Sequence, residues 1–303
     1  MIRVLVTDGM EKSAIEDLKA KGFEVVEQFY QPEMLGEALK DFDVIVVRSA
    51  TKVRKPIIDI AAQAGRLKLV IRGGVGVDNI DVAYAMEKGI KVTNTPNASS
   101  ASVAELALAH MFAISRFINI SNVSMRQGKW DKKKYEGVEI SGKTLGLVGF
   151  GRISRELAKK ASALGMTVIY TDIIGKAKDC DDYEFCELND VLKRADYLSL
   201  HIPFFKEQGA LIGKDQLAMM KDGAFLINCA RGGVVDEIAL LEALDNGKLA
   251  GAGIDVFVEE PTKNEKLVNH PKVSVTPHIG AATKEAQTRI GAEITSIICD
   301  FFK

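Results

Sequence analysis

The sequence predicts an α/β protein with two doubly wound parallel-sheet domains and a cleft between them. The chain has 303 residues, more than the ~100–200 residues typical of one domain. Short runs rich in β-branched residues alternate with helical patterns along its length, which is the wiring of parallel sheets. The strand candidates are too apolar to alternate in polarity, as expected when helices cover both faces of a sheet.

The first series of strands and helices ends at a proline turn around Pro96. Its strands are predicted at Val4–Thr7, Glu24–Val26, Val44–Val47, Leu69–Ile71 and Lys91–Thr93. Its helices are predicted at Lys12–Lys21, Pro56–Ala64 and Val82–Lys88. Proline ends regular structure because it fixes its own backbone angle and restricts the residue before it.

The second series begins with small residues at 98–102, which lead into one long predicted helix through about Met125. Its strands are predicted at Leu145–Val148, Thr167–Tyr170, Tyr197–Leu200, Ala224–Asn228, Ala252–Val256 and Val273–Thr276. A final helix, about Ala282 to Phe302, can return to the first domain. We therefore expect one discontinuous domain of residues 1–96 and 279–303 and a second of residues 97–278.

Composition and charge exclude several classes of protein. Hydrophobic residues make up 47% of the chain and charged residues 27%, which is typical of a globular protein. The 40 basic and 41 acidic residues are interspersed, so neither a nucleic-acid nor a membrane partner is expected.

No secretory leader is apparent. No Cys-x-x-Cys pair or histidine at ligand spacing accompanies the four cysteines, so we expect no metal and a reducing cytoplasm.

A glycine-rich turn predicts a dinucleotide site. Gly149 and Gly151 lie between a predicted strand and a helix that starts near Arg152. Gly149 allows the tight turn, Gly151 lets the backbone approach a pyrophosphate, and the helix N-terminus attracts anions. Ser154 stands where the usual third glycine packs helix against strand. Asp172 ends the next strand, where a carboxylate binds ribose hydroxyls and repels a 2′-phosphate, so a Rossmann-type domain that binds NAD rather than NADP is predicted. A turn that serves packing alone is the alternative.

Three residues suit the chemistry of a 2-hydroxy or 2-keto acid. Arg231 follows a strand, where its guanidinium can bind a carboxylate through two hydrogen bonds. His278 also follows a strand, and imidazole exchanges protons near neutrality. Glu260 can hydrogen-bond that imidazole and fix its tautomer. A loop salt bridge and a structural histidine are the alternatives.

The other histidines are weaker candidates. His110 lies mid-helix among apolar residues and is expected to be packed, and His270 lies in a polar connection. His201 follows a strand and either lines the cofactor site or simply ends that strand.

Two segments of the first domain are candidate anion sites. Each follows an apolar strand and joins an arginine to small residues whose backbone N–H groups can form an anion nest. The candidates are Arg48, Ser49, Arg72, Gly73, Gly74 and Val75. Surface arginines without function are the alternative.

Several motifs together resemble the D-2-hydroxyacid dehydrogenase family, and within it the phosphoglycerate branch. The resemblance covers nearly the whole chain and is carried by 47–53, 74–81, 128–130, 149–153, 228–236, 255–261 and 277–280. It implies a Rossmann-type nucleotide-binding domain and a flavodoxin-like substrate domain. It also implies a homodimer.

The resemblance assigns roles to the candidate residues. Arg231, Glu260 and His278 would be the catalytic set, Asp255 would orient the nicotinamide carboxamide, and Arg48 and Arg72 would hold the anionic groups of a small-molecule substrate. The other implied cofactor residues are Arg152, Ile153, His201, Ile202, Pro203, Cys229, Ala230 and Gly280.

The implied reaction is NAD-dependent oxidation of 3-phospho-D-glycerate to 3-phosphohydroxypyruvate in serine biosynthesis. A glyoxylate or hydroxypyruvate reductase is the alternative, and a non-catalytic NAD-sensing corepressor is a more distant one. Ser99 and the segment 204–208 depart from the phosphoglycerate pattern. The chain ends after its last predicted helix, so feedback inhibition by serine through a C-terminal regulatory domain is not expected.

Overall fold

The structure, a computed structural model, describes residues 1–303. The chain divides into two compact units. The first unit contains Met1–Ser99 and Ala281–Lys303, and the second contains Ser100–Gly280.

The first unit is a five-stranded parallel sheet with helices. Its strands are β1 (Arg3–Val6), β2 (Glu24–Glu27), β3 (Val44–Val47), β4 (Leu69–Arg72) and β5 (Lys91–Asn94). Its helices are α1 (Lys12–Ala20), α2 (Pro32–Ala38), α3 (Lys55–Gln63), α4 (Val82–Glu87) and α12 (Lys284–Phe301), with a 3-10 turn at Leu39–Asp41. The strand order β2-β1-β3-β4-β5 is that of flavodoxin-like folds. The predicted fold class of this unit is confirmed.

The last helix of the chain belongs to the core of the first unit. Ile290, Ile294 and Ile298 of α12 are buried with strand residues such as Val44 and Leu69. Burial of such aliphatic side chains contributes roughly 1.5–3 kcal/mol each. The C-terminal helix therefore completes the unit that the first 99 residues begin.

The second unit is a seven-stranded parallel sheet. Its strands are β6 (Thr144–Val148), β7 (Thr167–Thr171), β8 (Glu184–Phe185), β9 (Tyr197–Leu200), β10 (Ala224–Asn228), β11 (Leu249–Ile254) and β12 (Val273–Val275). Its helices are α5 (Ser100–Ser115), α6 (Ile118–Arg126), α7 (Arg152–Ala163), α8 (Leu188–Arg194), α9 (Lys214–Met219), α10 (Glu237–Asp245) and α11 (Glu265–Val268), with a 3-10 turn at Lys132–Lys134. The order β12-β11-β10-β9-β6-β7-β8 confirms the predicted Rossmann-type sheet.

The prediction of one long helix through Met125 was wrong. The helix breaks after Ser115, where Phe117 adopts a left-handed φ of 55° that cannot continue a right-handed helix. Helix α2 was not predicted, although it begins at Pro32 and proline is common at the first position of a helix. No single helix is long and apolar enough to cross a membrane; only α5 and α6 together reach that length and composition, and they are bent by 64°.

Candidate active site

The second sheet reverses its strand order between β6 and β9, and ligands bind at such a reversal in doubly wound sheets. A cavity of about 630 Å³ lies there, within the usual range for small-molecule sites. Six predicted cofactor residues line it: Gly149, Gly151, Asp172, His201, Ile202 and Pro203. The prediction omitted other lining residues, including Phe185, Glu187, Leu188, Phe204, Phe205 and Gln208.

The glycine turn has the backbone geometry that a pyrophosphate requires. Gly149 has a φ of 85°, and a Cβ there would lie 2.6 Å from the carbonyl oxygen of His201. Apart from Gly151 itself and its chain neighbours, nothing lies within 4 Å of the place where a Cβ on Gly151 would be. Gly151 directly precedes the 12-residue helix α7, and no side chain caps that helix. The turn therefore leaves open space at a helix N-terminus, where anions are favoured.

Ser154 replaces the third glycine of the turn without disturbing it. Its side chain is fully buried, and its hydroxyl donates a 2.5 Å hydrogen bond to the carbonyl oxygen of Gly149. The serine thus adds a bond between the first turn of α7 and the turn before it.

Asp172 lies directly after β7 in the wall of the cavity. One of its oxygens accepts a hydrogen bond from the amide of Phe150 at 2.6 Å, and the other accepts from the amide of Ile174 at 3.0 Å. Each carboxylate oxygen can accept a second hydrogen bond. A carboxylate at this position fits the ribose hydroxyls at the adenosine end of a dinucleotide.

We expect Asp172→Asn to raise KM for NAD about tenfold, because a hydrogen bond to a charged group contributes about 1.5–3 kcal/mol. The amide oxygen can still accept the hydrogen bond from Phe150 in the glycine turn, while the bond from the Ile174 amide is lost. Loss of the negative charge should also narrow the preference for NAD over NADP. Initial rates with each cofactor test this, with Asp182→Asn, at an exposed side chain outside the cavity wall, as the control. An unchanged KM and an unchanged preference would contradict the role of Asp172.

His201 is a neutral member of the cavity wall. Burial lowers its pKa to about 4. Its Nε2 lies 2.9 Å from the hydroxyl of Ser199, and its buried Nδ1 has no hydrogen-bond partner in the structure. Because burial disfavours the protonated ring, His201 is poorly suited to take up the proton that oxidation of a 2-hydroxy acid releases, and the part-exposed His278 suits that role better.

Three neighbouring strands of the same sheet carry Arg231, Glu260 and His278 in the segments after their ends. Arg231 follows β10, Glu260 follows β11, and His278 follows β12. The His278 Nδ1 lies 2.7 Å from Glu260 Oε2. Both side chains are about one-third exposed, at 37% and 36%. Because Nδ1–H donates to the carboxylate, the neutral imidazole presents Nε2 as the nitrogen that can accept a proton.

Glu260 is held as a carboxylate by its surroundings. Burial opposes the charged form, but the hydrogen bond and charge of His278, the amide of Phe257 and the charge of Arg231 lower the pKa of Glu260 below its ordinary value. The Phe257 amide donates to Glu260 Oε1 at 3.1 Å. Above its lowered pKa, Glu260 therefore keeps the charge that stabilises a protonated imidazole.

The segment after β10 is built against the segment that carries Glu260. The side-chain amide of Asn228 donates to the carbonyl oxygen of Arg231 at 2.9 Å, and Arg231 Nη1 donates to the carbonyl oxygen of Ala230 at 2.6 Å. A Cβ on Gly232 would overlap the carbonyl oxygen of Phe257. Only glycine allows the two segments to approach this closely.

The remaining predicted cofactor residues do not line the cavity. They are Arg152, Ile153, Cys229, Ala230, Asp255 and Gly280. The first two open α7, directly after the glycine turn. Burial raises the pKa of the Cys229 thiol, which is therefore neutral. Asp255 is 1% exposed and accepts a hydrogen bond from the amide of Gly280 at 2.9 Å.

In the first unit, Arg48 and Arg72 lie at the ends of adjacent strands. Arg72 ends β4 opposite Val47, the last residue of β3, and Arg48 follows directly. Both lie at the carboxyl edge of the parallel sheet. Gly74 has a φ of 147°, and a Cβ there would overlap the Arg72 guanidinium. The predicted anion segments, which also include Ser49, Gly73 and Val75, are thus brought side by side.

A clamp that was not predicted holds the segment from Arg48 to Thr51. The carboxylate of Asp8 accepts hydrogen bonds from the amide of Arg48 at 2.7 Å and from the amide and hydroxyl of Thr51 at 3.0 and 2.6 Å. The side-chain amide of Asn79 donates to the carbonyl oxygens of Arg48 and Thr51 at 2.7 and 2.6 Å. The segment is therefore fixed from both sides before any ligand binds.

A dinucleotide site with a carboxylate-paired histidine on the same edge of the sheet is the arrangement of a nicotinamide-dependent oxidoreductase. The family comparison agrees with it. The model of the NAD binding domain of D-isomer specific 2-hydroxyacid dehydrogenases matches residues 108–280. The chain belongs to this family, it is an enzyme of the D-2-hydroxyacid dehydrogenase type, and its cofactor is NAD.

Individual relatives divide between two activities. The chain is 45% identical over 301 residues to a D-3-phosphoglycerate dehydrogenase of Methanocaldococcus jannaschii, covering 98% of the chain and 57% of the relative. It is 46% identical to a hydroxypyruvate reductase of Thermotoga maritima, covering 98% of the chain and 97% of the relative. A crystal structure of a glyoxylate reductase from Paecilomyes thermophila is similar with a TM-score of 0.89 and 30% identity, covering 97% and 93% of the two chains. The chain thus spans little more than half of the phosphoglycerate dehydrogenase and nearly all of the two reductases.

Proposed function

We propose that the protein oxidises 3-phospho-D-glycerate to 3-phosphohydroxypyruvate with NAD, a step of serine biosynthesis. The observation that carries the proposal is the pair of arginine segments on β3 and β4. A Cβ on Gly73 would lie 3.7 Å from Cγ of Arg48, so the two segments are in close contact. Two arginines at the ends of adjacent strands suit a substrate with both a carboxylate and a phosphate, because a guanidinium binds such groups through paired hydrogen bonds.

In the proposed reaction, His278 Nε2 removes the proton of the C2 hydroxyl as the C2 hydride leaves. NAD, when bound, supplies the nicotinamide ring that accepts this hydride. Arg231 binds the carboxylate and stabilises charge on the oxygen that becomes the carbonyl. Glu260 stabilises the imidazolium that forms, through the 2.7 Å hydrogen bond to Nδ1.

A hydroxypyruvate or glyoxylate reductase is the second candidate function. The observation that favours it is the match to the hydroxypyruvate reductase over 97% of that relative's length. The proposed roles of Arg231, Glu260 and His278 are unchanged, since the same proton and hydride move in the opposite direction. Only the anion that the first unit recognises differs.

The two candidates are separated by the ratio of kcat/KM for 3-phospho-D-glycerate and D-glycerate, with hydroxypyruvate and glyoxylate in the reverse direction. We expect a preference of about 10²-fold or more for the phosphorylated acid, since charge-assisted hydrogen bonds contribute about 1.5–3 kcal/mol each. Arg48→Gln should remove most of this preference, whereas Arg66→Gln, which breaks an ion pair with Asp43 elsewhere in the unit, should not. A preference for the unphosphorylated acids would establish the reductase instead.

We also propose a homodimer formed through the second unit. The segment from α6 onward leaves large apolar side chains in solvent, including Ile118, Val123, Met125 and Trp130 at 52%, 54%, 53% and 78% exposure. Exposed apolar patches of this kind commonly mark protein interfaces.

A further inference from the structure

His110 is a buried histidine whose two ring nitrogens both have partners. It lies on α5 and is 2% exposed. Its Nδ1 lies 2.9 Å from the hydroxyl of Ser274, and its Nε2 lies 3.0 Å from the hydroxyl of Thr276. Gly253 on β11 makes room for the ring, because a Cβ there would lie 2.5 Å from the His110 Cβ. The sequence predicted a packed histidine, but the side chain is part of a polar chain of contacts.

The directions of these hydrogen bonds are fixed by the chemistry of the partners. The Thr276 hydroxyl donates its one proton to Asp255 Oδ1 at 2.6 Å. Its oxygen must therefore accept a hydrogen bond from His110 Nε2–H, and the Ser274 hydroxyl must donate one to Nδ1. Burial lowers the pKa of His110 and outweighs the opposing charge of Asp255, so the ring is neutral with its proton on Nε2.

Asp255 connects these hydrogen bonds to the turn that carries His278. Besides Thr276, its carboxylate accepts the amides of Ile279 at 2.8 Å and Gly280 at 2.9 Å. Its backbone carbonyl accepts the amide of His278 at 2.8 Å. Asp255 thus holds residues on both sides of His278.

The held turn has an unfavourable backbone conformation. His278 has a φ of 53°, in the left-handed region that residues other than glycine rarely adopt. Such conformations persist at functional sites only when surrounding contacts impose them. The hydrogen bonds that hold His278 in this conformation converge on Asp255. The hydroxyl of Thr276 orients the Asp255 side chain, and His110 in turn hydrogen-bonds that hydroxyl.

We infer that His110 is a positioning residue that acts through Thr276 and Asp255 to hold His278 beside Glu260. The inference rests on the proposed role of His278. His110 touches neither substrate nor cofactor in this scheme, so its loss should affect catalysis through the geometry of the turn.

A double-mutant cycle tests the connection between His110 and Thr276. We expect His110→Leu and Thr276→Val each to lower kcat by up to about 10²-fold, as a misplaced catalytic group does. Thr276→Val removes the bond that His110→Leu removes and also the bond to Asp255, so the double variant should lose no more than Thr276→Val alone. The dissociation constant for NADH, measured by fluorescence titration, should stay within about twofold of wild type, since the glycine turn is untouched.

Conservative variants separate positioning from folding. His110→Gln can still donate from its amide to Thr276, and Thr276→Ser keeps the hydroxyl, so both should retain kcat within about threefold of wild type. His110→Gln and Thr276→Ser test the inference even if the leucine or valine variant fails to fold. If either of these two conservative variants folds but loses as much kcat as His278→Gln, the inference is overturned. His270→Gln is the matched control, because His270 lies outside the proposed network and its Nε2 contacts Asp245 Oδ1 at 3.3 Å.

Two results would overturn the inference in the folded variants: losses in kcat that multiply in the double variant, or losses that appear only as weaker NADH binding. Assays use 3-phospho-D-glycerate or, if that acid is not turned over, hydroxypyruvate with NADH. Near-normal turnover in His278→Gln would instead overturn the proposed role of His278, so the two failures are distinguishable.

Discussion

His278→Gln is expected to lower kcat about 10²- to 10⁴-fold, which is the usual contribution of a general acid–base group. The glutamine amide can still donate to Glu260, which His278 Nδ1 contacts at 2.7 Å, but it cannot take a proton from a hydroxyl. The loss should therefore appear in the chemical step. Single-turnover measurement of NADH formation with the purified variant tests this.

Binding measurements distinguish this loss from a damaged fold. The cavity beside the glycine turn does not include His278, so the dissociation constant for NADH should change by less than about threefold, or 0.7 kcal/mol. His270→Gln should behave as wild type in both assays, because His270 lies outside the cavity wall and contacts Asp245 rather than Glu260. Turnover within tenfold of wild type in His278→Gln would be incompatible with His278 as the acid–base residue.

Glu260→Gln should cause a smaller loss in the same step. The amide keeps a hydrogen bond to the imidazole but loses the charge that stabilises its protonated form. Because a hydrogen bond to a charged group contributes about 1.5–3 kcal/mol, we expect kcat to fall about 10- to 10²-fold. A loss larger than that of His278→Gln would require a different role for Glu260. Pre-steady-state rates for the two variants, measured side by side, give the comparison.

The sequence predicted both sheets because their strands are short continuous apolar runs between turn residues. Val44–Val47 is buried at every position, and a short run of β-branched residues of this kind is typical of a strand covered on both faces. The glycine turn was predictable for a similar reason, since Gly149 and Gly151 follow a strand at the spacing that a pyrophosphate requires. Local patterns of this kind can be recognised in the sequence without knowledge of the tertiary contacts.

Contacts between distant residues could not be predicted. Asp8 binds the amides of Arg48 and Thr51 across 40 and 43 positions of sequence. Nothing near Asp8 marks it as a partner of an arginine segment, because the contact exists only once β1 and β3 pair. The same applies to His110, whose apolar helix predicts a packed side chain while its partner Thr276 lies 166 positions away.

The break between α5 and α6 is a different kind of failure. The apolar pattern continues through Ile118, so periodicity predicts an uninterrupted helix. The structure instead places Phe117 in the left-handed region, which intrinsic preferences disfavour for an aromatic residue. The Phe117 ring lies 6.0 Å from that of Tyr135, a contact with a segment that local patterns do not anticipate.

Arg231→Lys is expected to lower kcat/KM about 10²- to 10³-fold, the cost of removing one preorganised donor to a developing oxyanion. Lysine keeps the positive charge but loses the planar pair of donors that a carboxylate accepts. The backbone should be undisturbed, since Asn228 binds the carbonyl oxygen of residue 231 rather than its side chain. Arg194→Lys, at an exposed ion pair with Glu184, is the matched control.

The substrate dependence of the Arg231 variant gives the sharper result. If the guanidinium binds the carboxylate at C1 and the oxygen at C2, the loss should be nearly equal for phosphorylated and unphosphorylated acids, because both carry these groups. Arg48→Gln should instead penalise the phosphorylated acid alone, because its segment, fixed by Asp8 and Asn79, is proposed to meet the phosphate. Equal losses for both acids in Arg48→Gln would assign that arginine to the carboxylate and leave the preference for phosphate without its proposed cause.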